Sequence, residues 1–129
     1  MKKLKKFIPF RKKHPQVAVI KLAGVIAAGS SLRKGLNLQS IETHLHDAFS
    51  NKRTTAVALV VNSPGGSPVQ SDLIQKRVRD LGQEFKKPIF VFCEDVAASG
   101  GYWIALAGDE IYANASSIIG SIGVVSAGF

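Results

Sequence analysis

Twice in this chain an apolar run meets a glycine pair and then a stretch with helical character, and that repeated pattern constrains the fold more than any other feature. The first instance is Ala56 to Val61, then Asn62-Ser63-Pro64-Gly65-Gly66-Ser67, then the amphipathic stretch Val69 to Phe85. The second is Pro88 to Cys93, then Ala97-Ala98-Ser99-Gly100-Gly101, then a helix to about Ala107. Strands and helices in alternation predict an α/β domain with a largely parallel sheet. Loops at the carboxyl ends of the strands, where both glycine turns fall, are where such sheets place their sites. The expected order is strand 17–26, helix 36–49, strand 54–61, helix 68–85, strand 88–93, turn and helix 96–107, strand 109–113 and strand 121–125. Ser67 before Pro68 reads as an N-cap followed by proline in the first turn. Val69, Leu73, Ile74, Val78, Leu81 and Phe85 recur at helical spacing and are expected to pack in the core.

A serine on a sharp turn between a strand and a helix is held out as a nucleophile, which singles out Ser99. The first turn of the following helix has unpaired backbone N–H groups that would stabilise an oxyanion formed when Ser99 attacks a carbonyl. The turn from Asn62 to Ser67 offers N–H groups of the same kind. One N–H from each turn can converge on a single carbonyl oxygen, an arrangement suited to acyl transfer. A nucleotide-binding reading fails, because no Gly-Lys-Ser/Thr follows and the loop contains no lysine. The Gly-x-Ser-x-Gly elbow is half met, since Ala97 replaces its first glycine.

The segments Asn62-Ser63-Pro64-Gly65-Gly66, Ala98-Ser99-Gly100-Gly101-Tyr102 and Gly120-Ser121-Ile122-Gly123-Val124, in that order, resemble the signal peptide peptidase A family. These are serine peptidases with a Ser/Lys dyad, in the Clp protease/crotonase superfamily. The resemblance runs from about Val17 to Gly128. It implies repeated β-β-α units with a largely parallel sheet, C-terminally incomplete in this chain. It also implies that Ser99 is the nucleophile, that Gly66 and Gly100 supply the oxyanion N–H groups, and that Ser121 orients the catalytic lysine.

That lysine is expected beyond the Gly-Ser-Ile-Gly-Val strand, and the chain stops at Phe129. A lysine base must be partly buried and within hydrogen-bond reach of the serine. Lys86 and Lys87 read as solvated cations at a helix end before Pro88, and Lys21 as a side chain on a solvated or interfacial face of a strand. His44 and His46 fall on the first predicted helix, and nothing in their spacing aims them at Ser99. Glu94 and Asp95 read as solvated loop acids or oligomer contacts.

The net charge of +8 is concentrated at the start of the chain: Lys2, Lys3, Lys5, Lys6, Arg11, Lys12 and Lys13, with no acid among them, hold seven of the eight charges. Interleaved with Leu4, Phe7, Ile8 and Phe10, this tail suits peripheral contact with an anionic membrane, each basic residue near the surface adding about 1 kcal/mol. The remainder shows no basic stripe or recognition motif, so nucleic acid is not an expected partner. Lys21 breaks the apolar stretch that would otherwise mimic a secretory signal. No run of about 18 uninterrupted apolar residues is present, so no transmembrane helix is expected. A cytoplasmic location is expected, with the tail either a solvated extension or in peripheral contact with the inner face of the membrane. Residues 1–15 are thus read as a basic tail and 16–129 as a partial peptidase domain. Cys93 is the single cysteine, which excludes an intramolecular disulfide and a cysteine metal site. Neither a cofactor nor a metal is implied.

The reading is a serine endopeptidase that cleaves extended peptides, such as signal-peptide remnants, through an acyl-enzyme on Ser99. Its complete form is expected to be a homo-oligomer. The alternatives are an inactive truncated homologue acting as a peptide-binding or oligomer-interaction module, and a crotonase-like acyl-CoA enzyme. The latter uses paired oxyanion N–H groups but needs no serine, so Ser99 together with Ser121 favours the peptidase.

Overall fold

The computed structural model describes residues 14–29, 34–126 and 128. The basic tail through Lys13 lies outside them. The elements run β1 (Gln16–Ala23), α1 (Leu38–Ser50), β2 (Thr54–Ser63), α2 (Pro68–Phe85), β3 (Ile89–Ala98), α3 (Gly100–Ala105), β4 (Glu110–Ala113) and β5 (Ile118–Gly120). All pairings are parallel, in the order β1-β2-β3-β4, with β5 also against β3. Because strand order follows chain order, crossovers of one hand place the three helices in a row on one face. In agreement, α2 packs against both α1 and α3. Outside the strands, Ile26 forms isolated parallel bridges with Leu36 and Gly66.

Side chains alternate between the two faces of the sheet. Ile20 and Leu22, Val57, Leu59 and Val61, and Ile89, Val91 and Cys93 are buried against Ile41, Leu45 and Phe49 of α1, Ile74, Val78 and Leu81 of α2, and Ile104 of α3. The opposite face carries Val17, Val19, Phe92 and Tyr112, all exposed, with Phe92 and Tyr112 stacked at 5.2 Å. Lys21 shares that face and pairs with Glu94 at 3.7 Å, two-thirds exposed as a solvated side chain should be.

The helix ends follow local chemistry. Asn37 accepts the Ser40 N–H at 3.0 Å and returns its own N–H to the Ser40 hydroxyl, a capping box that starts α1. Ser67 accepts the Gln70 N–H at 3.2 Å, and Pro68 follows in the first turn of α2. Lys86 ends α2 in the left-handed conformation, and Lys87 donates to the Asn51 carbonyl at 2.6 Å, so its charge complements the end of α1.

Several expectations need correction. The last strand is Ile118–Gly120, not 121–125, because β3 runs on to Ala98 and offers an edge there for Ile118 and Ile119. That extension includes Glu94 and Asp95, which lie in the strand, exposed, and not in a loop. The helix after Ser99 is shorter than expected, ending at Ala105. Val69 and Leu73 are exposed at 66% and 40%, while Ser71 is fully buried. The buried face of α2 is set by Ser71, Ile74, Val78 and Leu81, and Val69 and Leu73, one turn apart, fall together on the other side of the helix.

At the end of the sheet where the strands begin, Asp109 accepts the Ile89 N–H at 2.7 Å and an Arg79 N–H at 2.9 Å. The Ile89 N–H first, then Arg79, hold its carboxyl below the usual carboxylate range. Its folded-state pKa is below its unfolded value, so the stabilisation is present above about pH 4 and is lost as pH falls through the folded pKa. Asp109 is about half exposed, which limits the effect to about 1 kcal/mol. Urea unfolding is therefore expected to show Asp109→Asn less stable than the unaltered chain at pH 7, with the difference closing as pH falls below the usual carboxylate range.

Candidate active site

Ser99 joins β3 to α3 with φ 52° and ψ −121°, a conformation that costs a non-glycine residue about 1–3 kcal/mol. Surrounding bonds hold it there. Its N–H donates to the Gly120 carbonyl at 2.7 Å, and its carbonyl accepts the Trp103 N–H at 3.1 Å. Its hydroxyl makes no capping bond to α3 and so is not consumed by the helix.

The approach to this turn is set by β2. Between Val61 and Ser63 the register with β3 slips from Cys93 to Ala97, so two residue steps of β2 face four of β3. Asn62 Oδ1 accepts the Val96 N–H at 3.2 Å and pins this bulge. Bulges re-aim the chain beside sites, and this one directs Ala97 and Ala98 toward the end of β2.

The two glycine turns meet. A Cβ on Gly65, whose φ is 101°, would lie 2.8 Å from the Gly100 nitrogen and 2.8 Å from Ser99 Cβ. The backbones of residues 34 positions apart in sequence are therefore in contact. On its other side the first turn is zipped to Ile26, whose N–H donates to the Gly65 carbonyl at 2.9 Å and whose carbonyl accepts the Ser67 N–H at 2.8 Å. Among the described residues, the Gly66 and Gly100 N–H groups make no hydrogen bond. Because α3 has only six residues, its contribution comes from these individual N–H groups more than from a helix dipole.

Gly66, Ser99 and Gly100 line one cleft of about 320 Å³, together with Pro68, Trp103 and Ile122 to Val125. Ser121 is close in the chain but apart from the lining; it is exposed, with φ 55°, directly after the residue whose carbonyl holds the Ser99 N–H. No lysine or histidine is among the residues lining the cleft. His44 lines a groove between α1 and β1, and His46 stands edge-on to Phe85. Burial pushes the Cys93 thiol up, which keeps it protonated and poorly nucleophilic. Among the described residues, no group of three or more His, Cys, Asp or Glu is placed to hold a metal.

Ile26 and Trp103 were not foreseen. Ile26 carries no sequence signal, since it acts through its backbone on a turn far along the chain. Trp103 could have been found from its place one helical turn after Ser99.

Residues 82–129 match the family model of Peptidase family S49. Over those residues the chain is similar to that peptidase family. Protease 4 of Haemophilus influenzae is 38% identical to this chain over 109 residues, which are 84% of the chain and 18% of that protein. A Brucella melitensis protein named Na(+)/H(+) antiporter NhaA is 57% identical over 129 residues, 98% of the chain and again 18% of that protein. The chain thus spans about a fifth of the length of these curated relatives. The segment shared with the Brucella protein is the parallel α/β unit described above. No helix among its described residues is long and apolar enough to cross a membrane. Of solved structures, the 1510-N membrane-bound stomatin-specific protease, in a mutant form, shares the fold with a TM-score of 0.62 at 21% identity, over 85% of this chain and 47% of that one.

Proposed function

We propose that this chain carries the nucleophile and oxyanion half of a serine peptidase site that cleaves extended peptides. In the acylation step Ser99 Oγ forms a bond to the scissile carbonyl carbon, and the carbonyl oxygen, now an oxyanion, accepts N–H groups from Gly66 and Gly100. The serine proton passes to a base, which returns it to the amine nitrogen as the C–N bond breaks, the carbonyl re-forms and the amine leaves. A lysine supplied from outside the residues that line the cleft, oriented by Ser121, fills that role in this reading. The observation that supports the proposal is the backbone contact of Gly65 with Ser99 and Gly100, beside a cleft lined by Gly66, Ser99 and Gly100. Electrostatic stabilisation by such donors is worth about 10²–10³ in rate for each one.

Peptide substrates suit the cleft because Ile122, Val124 and Val125 give it an exposed apolar wall beside Ser99. Association of several copies belongs to the same reading, supported by the uncovered apolar residues on the open sheet face. An acyl-CoA enzyme would have no use for a strained serine.

A serine-directed fluorophosphonate, applied to the chain joined to a C-terminal segment that carries the lysine base, tests the assignment. Labelling is expected at Ser99, located by peptide mass mapping, and is expected to disappear in Ser99→Ala. Labelling that persists in Ser99→Ala, or that maps to another residue, overturns it.

A further inference from the structure

Ser63 stands at the end of β2 with no exposed surface, paired in register with Ala97. A wholly buried serine between two glycine turns needs a reason. Its carbonyl and Cβ lie under the start of α3, where a Cβ on Gly101 would come within 2.4 Å of the Ser63 oxygen. Its hydroxyl accepts the Gly65 N–H at 3.1 Å, the local side-chain-to-backbone turn that serine favours.

The polar groups of the first turn are then divided among distinct partners. Gly65 N–H goes to Ser63, the Gly65 carbonyl to Ile26, and Ser67 N–H to the Ile26 carbonyl. Gly66 N–H is the amide left over among the described residues, and Gly66 lines the cleft. We propose that Ser63 is a positioning residue for the oxyanion site: by taking the Gly65 amide it fixes the peptide planes of the turn so that the Gly66 amide serves the cleft. The proposal rests on the peptidase reading above for its functional consequence, though not for its geometry.

The physical reason is the freedom of adjacent glycines. Gly65 and Gly66 are both at positive φ, and neither side chain restrains the peptide between them. A buried N–H without a partner is unfavourable, so a turn lacking the Ser63 hydroxyl relaxes by rotating peptides until the Gly65 amide reaches solvent in the cleft. That rotation misdirects the Gly66 amide. A preorganised donor becomes one that must be reordered at each turnover.

Amide hydrogen exchange and ligand binding test this together. In the unaltered chain the Gly65 amide is expected to exchange slowly and the Gly66 amide fast. In Ser63→Ala the Gly65 amide is expected to lose protection, and the Ile26 amide with it, because the Gly65 carbonyl that accepts Ile26 shares one peptide plane with the Gly66 N–H. A peptide boronate, whose adduct with Ser99 places an oxygen at the oxyanion position, is expected to bind Ser63→Ala at least about tenfold more weakly. The same peptide with a free carboxylate is expected to bind both proteins equally. Equal weakening of both ligands, or unchanged boronate affinity, overturns the positioning role. Should Ser63→Ala fail to fold, the pattern in the unaltered chain decides, since a fast Gly65 or a protected Gly66 amide contradicts the proposal. Failure of the boronate to reach Ser99 in the unaltered chain counts against the peptidase reading, and the exchange pattern still decides the role of Ser63.

Discussion

Replacing Gly66 by alanine is expected to destabilise the protein by about 3 kcal/mol or more, the largest effect of any single methyl group added to this fold. The backbone there has φ 145°, which side chains rarely adopt, and the new Cβ would lie 2.0 Å from the Ile26 carbonyl oxygen. That oxygen cannot withdraw cheaply. It accepts the Ser67 N–H at 2.8 Å, and the Ile26 N–H is itself bound to Gly65 at 2.9 Å, so any shift of Ile26 breaks the clamp on the turn. Gly123→Ala provides the control, because a Cβ there meets nothing within 4 Å. Urea unfolding should show a large drop in midpoint for the first variant and almost none for the second. Equal midpoints would mean that the turn is not held by Ile26 as described.

The second large effect concerns the base. A serine hydroxyl is a weak nucleophile until its proton is removed, and general-base assistance is typically worth about 10² to 10⁴ in rate. Lys21 is on the open face of the sheet in contact with Glu94, and Lys87 is bound to the Asn51 carbonyl near the start of β3, away from Ser99. The 129-residue chain alone is therefore expected to hydrolyse fluorogenic peptides about 10² to 10⁴ times more slowly than the same chain joined to a C-terminal segment bearing the family's lysine. Ser99→Ala in the joined form should abolish acyl-enzyme formation. Comparable turnover with and without the added segment would show that a base is already present, and Lys21→Met would then be the first variant to test.

Much of the architecture was legible because it rests on local rules. The bounds of α2 follow from Ser67, Pro68 and the end of the apolar stripe, all within a few residues of one another. The strands β1 and β2 and the glycine turns that follow β2 and β3 are readable for the same reason. The misreadings arose where an element depended on a distant partner. β5 forms where β3 offers an edge, which no local pattern around Ile118 announces. Val69 and Leu73 look like core residues by periodicity, but the face of α2 that is buried was decided by the sheet and by α3 packing on it.

The site divides along the same line. Residue types and spacing by themselves determined that a serine and two glycine pairs sit on consecutive strand-to-helix turns, because strand, turn and helix propensities act over a handful of residues. Only the tertiary structure decided that Gly65 touches Ser99, that Ile26 clamps the first turn and that Asn62 pins the bulge of β3. Each of those contacts joins residues more than 30 positions apart, and their geometry depends on parallel register and close backbone packing, which one-dimensional pattern does not encode.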